Sequence, residues 1–577
     1  MNIKTSDSRL LFLLSLSLVE VMVFLIFVLT ANRTQDGTVR FSPTAILMVC
    51  LGVFLLLVFA IFCFQALKGN SSILTLRMNE ALSNSSRFSF LQETLSLAVV
   101  FTITTWFFLL IAPADIGDYL GQRLIIRLAQ YLPVAILFAV LSVQCLYLFR
   151  SSGLPSPRFL LSFESKWSVA ILLFVFCFLL YFSTSRYLEQ LYTPRIAFFP
   201  QLAQAFLDGK TYLVDPHSVK DLSLFNNKYY VSFPPLAAIL MMPAVKIGGS
   251  DAAVNTALWN TVFASLGVAF IFLALGQLVV LGWSKLSRRD NLLLALFLGF
   301  GTVQYFMSIR GPVYYISQIL TASLLSTVVW VGLLKYEHKK TGFHGLITGM
   351  IFGLALLARP NVVFASLALF AFQYQKYLDD KEVAPLQKSI RWAIWFSIPV
   401  LIAVTGLAWY NNIRFGSVMD FGYKYMDVVD PVLLKDLQEY EQFHPHFILR
   451  NIRDNFLRLP EWYQNCGRLA PNPRGMSIFL VSPLIVYLYN SFIKKPWIWG
   501  AWLSVVAILT THLLYFNSGA LQFGYRFSLD FMPLIILLLA VSLKERMNKT
   551  AFSLLCAGFG VNFVGALWIA RAWCENW

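Results

Sequence analysis

The 577-residue chain is 58% hydrophobic and only 13% charged, with 52 phenylalanines and a net charge of +16. Ordinary globular chains are roughly half apolar and about a quarter charged, so a soluble domain and a disordered chain are both excluded. The positive balance fits the cytoplasmic loops of a membrane protein, and nucleic-acid binding is set aside because no soluble basic domain is present to carry phosphate contacts.

Apolar runs near 20 residues recur from end to end, which predicts an all-α polytopic membrane protein of about fifteen spans. They fall near 10–29, 44–66, 93–112, 131–149, 167–184, 255–281, 292–308, 314–334, 344–358, 361–375, 392–410, 476–491, 498–516, 527–543 and 550–570. The first run lacks a small-residue cleavage site and reads as a retained helix. Residues 1–160 form a four-span N-terminal module, and residues 161–577 a core with long loops at 185–254 and 411–475. A cytoplasmic N-terminus puts Lys285, Arg288 and Arg289, Lys335, Lys339 and Lys340, and Lys376, Lys381, Lys388 and Arg391 inside. The short outer segments then carry far fewer cations, as the positive-inside rule requires. The expected location is the cytoplasmic (inner) membrane, with both long loops on the outer, periplasmic face.

Along the first long loop, residues 195–207 have helical amphipathic spacing and predict a helix on the membrane surface. Residues 236–247 are apolar but too short to span, so they read as interfacial or re-entrant. The loop holds Glu189, Asp208, Asp215 and Asp221, then Tyr229-Tyr230. Further on, Arg310 stands in SIRGPVYY and Arg359 between two short apolar halves. Each either snorkels to lipid headgroups or meets a phosphate. The second long loop carries His444 and His446, but an HxH pair without a third ligand nearby reads as solvated. Residues 446–463 predict an amphipathic helix, with Phe447, Ile448, Ile452, Phe456 and Leu457 on one side and Arg450, Arg453 and Arg458 largely on the other. Near the end come Tyr525 and Arg526, with Asp530 offering Arg526 a buried ion pair. Tyr229, Tyr230 and Tyr525 either stack on sugar rings or belong to the interfacial aromatic belt. Seven cysteines include no CxxC, and no Cys/His spacing marks a metal site. Walker A, GxSxG, HExxH and Asp-rich nucleotide-sugar motifs are absent.

Four stretches carry a family likeness. They are AFLDGKTYL followed by DLSLFNNKYYVSFPPLAAILMMP; IGGSDAAVNTALWN; LALLARPNVVF; and the pair YNNIRFGSVMDFGYKY and QFGYRFSLDFMP. Their order and placement over about 165–545 resemble the GT-C membrane glycosyltransferases, nearest to the bacterial dolichyl-phosphate-mannose mannosyltransferase-like branch. The resemblance implies a GT-C-like core whose large first outer loop bears interfacial helices. It also implies an inverting transfer of a sugar from a polyprenyl-phosphate donor to a lipid, glycan or protein acceptor. Such chemistry needs a carboxylate to deprotonate the acceptor and cations for the phosphate leaving group. The family's Asp lies close behind the span that precedes the first loop; here that place reads Tyr192-Thr193-Pro194-Arg195. The candidate bases are therefore Asp221, Asp208 and Glu189, in that order, with a solvated loop charge or helix cap as the alternative for each. Arg359, Arg310, Arg526, Arg195, Tyr229, Tyr230 and Tyr525 are the candidate substrate-binding residues. No cofactor is assigned, and a divalent cation is left open, since family members differ. The competing functions are a transporter or flippase of lipid-linked sugars, an outer-face polymerase or ligase, and a non-catalytic membrane scaffold.

Overall fold

The computed structural model describes residues 166–571, apart from 338–339, 429, 464–467 and 520–521. The four-span module expected at 1–160 lies outside the described residues. Among those described, seven helices are long and apolar enough to cross a membrane. They are α1 (Lys166–Tyr187), α4 (Thr256–Val280), α7 (Val313–Leu333), α8 (Thr341–Ala358), α10 (Pro385–Phe415), α14 (Pro496–Leu514) and α16 (Lys549–Arg571, apolar over Lys549–Leu567). The remaining helices are short: α2 (Phe199–Leu207), α3 (Leu236–Gly248), α5 (Arg288–Phe300), α6 (Gln304–Ser308), α9 (Ala365–Asp379), α11 (Pro431–Tyr440), α12 (Ile448–Ile452), α13 (Ile478–Val481) and α15 (Met532–Ser542).

Four stretches drawn as spans are not single long helices, and local chemistry explains each break. At 292–308 the chain turns between α5 and α6, where the Thr302 hydroxyl bonds the Leu298 carbonyl and accepts from the Gln304 amide. At 361–375 and 476–491, Pro360 and Pro483 each open a 3-10 turn, because proline has no amide to continue an α-helix. At 527–543 a 3-10 turn over Arg526–Asp530 precedes α15, which starts with proline in its first turn.

Packing follows the small residues. α4 lies against α1 and α7, α8 against α10, and α9 against α14. On α8, Gly345, Gly349 and Gly353 recur every fourth residue and let the α10 backbone approach; a Cβ on Gly349 would run into the Phe396 carbonyl. α10 holds 31 residues, which makes it about 46 Å long, well beyond an apolar layer of about 30 Å. Its C-terminal turns therefore leave the bundle and enter the long-loop region.

The long loops also contain two antiparallel hairpins that helical periodicity does not reveal. β1 (Leu222–Phe225) pairs with β2 (Lys228–Val231), and β3 (Glu461–Tyr463) with β4 (Arg468–Ala470). The first is turned by Asn226 and Asn227, both at positive φ (49° and 58°), the geometry of a type I′ turn that asparagine tolerates. The amphipathic stretch of the first loop becomes α2, and its short apolar stretch becomes α3. The 446–463 stretch differs from expectation: its helical part ends at Leu457, and Glu461 onward is strand. Phe447 does turn inward, packing with Leu433, Leu437 and Phe516 in a small core, whereas Leu457 is exposed.

Candidate functional site

The first hairpin and the second long loop are knitted together. The Ser223 hydroxyl donates to the Gly422 carbonyl at 2.7 Å, and the Asp427 amide donates to the Leu222 carbonyl at 3.1 Å. Arg414, near the end of α10, is buried, and its Nη1 donates to the Val231 carbonyl at 2.7 Å. Gly422 has φ +86°, and a Cβ there would strike the Phe415 ring, so the loop passes over Phe415 only as glycine. Together these contacts hold the residue just before β1, which is Asp221.

Asp221 sits at φ +64° and is half-buried. Burial pushes its carboxyl above the usual carboxylate range, and nearby Asp427 pushes the same way. Nearby Arg526 and Lys220 act in the opposite direction without cancelling the shift. Arg526 is 7% exposed, with its guanidinium 4.7 Å from the ring centres of both Tyr314 and Phe527. Its Nη1 donates to Gln318 Oε1 at 3.2 Å, while its buried Nε has no acceptor. Among the described residues no carboxylate lies within ion-pairing distance of it.

The expected Arg526–Asp530 pair does not form, because Asp530 is taken by other groups. Its Oδ2 accepts from Arg359 Nη2 at 2.8 Å, Arg359 Nε at 3.1 Å and Asn361 Nδ2 at 2.6 Å. His512 Nε2 stands 3.0 Å from the same oxygen, and His512 Nδ1 is 3.1 Å from the Tyr525 hydroxyl. Arg359 is thus tied inward, with 15% of its side chain exposed, and its charge is neutralised within the fold. Arg526 keeps a buried charge with no carboxylate partner, a costly state unless an anion arrives.

The other residues singled out from sequence fall in different places. Asp208 is exposed at the C-cap of α2 and accepts from Gln204 of its own helix at 3.1 Å. Glu189 and Arg195 are exposed. Tyr230 is packed against Tyr212 and Phe415, and Tyr525 is fully buried, so neither ring is open to a sugar. Tyr229 is half-buried on β2 and bridges to Leu213. Arg310 borders a cleft of about 190 Å³ beside Tyr314 and Tyr315. Arg450 pairs with Asp436 and Arg458 with Asp454, so those two cations serve the loop's own fold and Arg453 is left exposed. His446 stacks on Tyr440 with ring centres 4.1 Å apart, and His444 caps the following turn. Sequence reasoning missed Asn361, His512, Tyr314, Tyr423 and Tyr515 around this cluster. His512 carried a signal, a polar residue inside an apolar run, which in membranes seldom lacks a partner.

Among the described residues no group of three or more His, Cys, Asp or Glu could hold a metal ion. Asp221 and Asp427 supply at most two carboxylates, so a magnesium-like ion there would need water or substrate phosphate oxygens to complete its shell.

No protein-family model and no curated protein matches the chain. Among solved structures it is similar to ArnT from Cupriavidus metallidurans bound to undecaprenyl phosphate, with 12% identity and a TM-score of 0.41, over 68% of this chain and 62% of that one. It is also similar to the Archaeoglobus fulgidus oligosaccharyltransferase tethered with an acceptor peptide, with 12% identity and a TM-score of 0.43, over 71% of this chain and 56% of that one. The chain thus spans less than two thirds of the length of either structure.

Proposed function

We propose that the chain is a membrane glycosyltransferase that moves a sugar from a polyprenyl-phosphate donor to a lipid, glycan or protein acceptor at the outer boundary of the inner membrane. The observation that carries this reading is the buried Arg526 guanidinium, without a bonded carboxylate, beside an Asp221 carboxyl that burial has made more basic. In the proposed step the acceptor hydroxyl gives its proton to Asp221. Its oxygen attacks the anomeric carbon from the face opposite the phosphate, and the bond from that carbon to the phosphate oxygen breaks with inversion. The polyprenyl phosphate leaves with one more negative charge, which Arg526 stabilises in a water-poor setting. Arg359 acts indirectly, since its charge is spent on Asp530.

The test uses labelled polyprenyl-phosphate sugar in proteoliposomes of the full chain. Asp221→Asn is expected to cut transfer by about 10²–10⁴-fold, the usual contribution of a positioned base. Arg526→Gln is expected to weaken both transfer and donor binding. Unchanged transfer in both variants overturns the assignment. Movement of the donor between leaflets with no new glycosidic bond would make the chain a flippase instead.

A further inference from the structure

The cleft beside Arg310 is built from two rigid walls. One wall is Gln190, Tyr192, Pro194 and Ile196 of the first loop; the other is the Arg310-Gly311-Pro312 turn with Tyr314 and Tyr315. The turn is held from two sides: Ser185 donates to the Ile309 carbonyl at 2.8 Å, and Asn260 to the Arg310 carbonyl at 2.7 Å. Gly311 lies so close to Thr256 that any side chain would collide with it. The loop wall is fixed as well, since Thr193 donates to the Val254 carbonyl at 2.6 Å and Asn255 to the Leu191 carbonyl at 3.1 Å. The Val313 amide donates to the Ile196 carbonyl at 3.3 Å and joins the two walls.

Arg310 is half-buried in this frame, its guanidinium 4.8 Å from the Phe306 ring centre. Its buried Nε has no acceptor, and among the described residues no carboxylate lies within ion-pairing distance. The stretch of loop that forms the opposite wall, residues 190–196, contains no acid either. Tyr314 links the two neighbourhoods: it lines the cleft that Arg310 borders, and Arg526 lies against its ring. Two guanidiniums without a carboxylate partner leave two positive charges to be answered, and one phosphate at Arg526 answers only the first.

We propose that this cleft is a subsite for the acceptor, and that the acceptor carries an anionic group, a phosphate or a carboxylate, held by Arg310. This rests on the reading of Arg526 and Asp221 given above and adds the acceptor's chemical class to it. The cleft, about 190 Å³ and partly open, has room for one acidic sugar unit. Arg310 is a binding residue here, with no part in bond making.

The test measures binding to the full-length, detergent-solubilised chain with four probes: glucose 6-phosphate, glucose, inorganic phosphate and farnesyl phosphate. Glucose 6-phosphate is expected to bind at least about tenfold tighter than glucose, and also tighter than inorganic phosphate, as a charge-assisted bond to a preformed site allows. Arg310→Gln removes the preference and leaves farnesyl phosphate binding unchanged. Arg310→Lys retains part of the preference and guards against misfolding. The proposal is overturned if the preference survives Arg310→Gln, if inorganic phosphate binds as tightly as the sugar phosphate, or if Arg310→Gln weakens farnesyl phosphate, which would move Arg310 to the donor side. Farnesyl phosphate binding that ignores Arg526→Gln would instead overturn the donor assignment, and the glucose 6-phosphate result would stand apart from it.

Discussion

Asp530→Ala is the perturbation with the largest expected effect on the fold. The Asp530 side chain is fully buried, and one of its oxygens accepts from two of the three guanidinium nitrogens of Arg359 and from the Asn361 amide, with His512 at 3.0 Å. Removing it leaves Arg359 with most of its guanidinium out of water and no anion to answer it. Breaking a buried pair in this way costs about 3–5 kcal/mol, and the stranded Asn361 amide adds about 1–3 kcal/mol. The double variant Arg359→Met, Asp530→Leu removes both charges and replaces them with packing, so it should recover most of the loss. The assay is denaturant or thermal unfolding of the purified chain in one detergent, with all three proteins compared as a double-mutant cycle. If Asp530→Ala unfolds within about 1 kcal/mol of the parent, the polar cluster does not hold the fold and the account of why Arg526, and not Arg359, is free for substrate fails with it.

The pH dependence has a defined sign. Burial raises the Asp221 carboxyl, so the base stays protonated to a higher pH than an exposed acid would, and transfer should fall on the acid side above the usual carboxylate range. Asp427→Asn removes a neighbour that pushes the same way and should move that limb to lower pH, read from kcat/KM profiles. The same shift means that Asp221's contribution to stability is full below its unfolded value and is lost as pH rises through the folded one. Gly422→Ala forces a side chain into a left-handed residue facing Phe415, at about 1–2 kcal/mol for the backbone alone, and should reduce transfer far more than it lowers expression of the chain. Asn227→Gly, at the type I′ turn, should be neutral or slightly stabilising in unfolding measurements.

The apolar runs made the long helices legible, because a membrane demands about 20 such residues in a row whatever they pack against. Proline and hydroxyl breaks at Pro360, Pro483 and Thr302 were present in the text but weaker than the hydrophobicity around them. Asp221 was readable as a candidate because it opens the stretch DLSLFNNKYY, and Arg526 because a charge in an apolar context needs a reason. The partner of Asp530 was not readable. Adjacency in sequence favoured Arg526, whereas the fold brings Arg359 from 171 residues away. Tertiary contacts of that range leave no periodic trace, and the same holds for His512 and Asn361. The roles of Arg450 and Arg458 also reverse, from membrane-facing to ion-paired within the loop: Arg450's acid, Asp436, lies on a separate helix that helical spacing does not see, whereas Arg458's, Asp454, lies four residues back on its own segment.

The bond from Ser223 to Gly422 spans 199 positions. A growing chain that has already made the hairpin must therefore wait for α10 to be threaded and its far end delivered before that hairpin is locked. Until then the carboxylate rides on a two-stranded ribbon held by its local bridge to Leu213 but not by the second long loop. Stalled or prematurely terminated products should consequently be inert and be nicked by protease near Asn226, while finished molecules resist at the same spot.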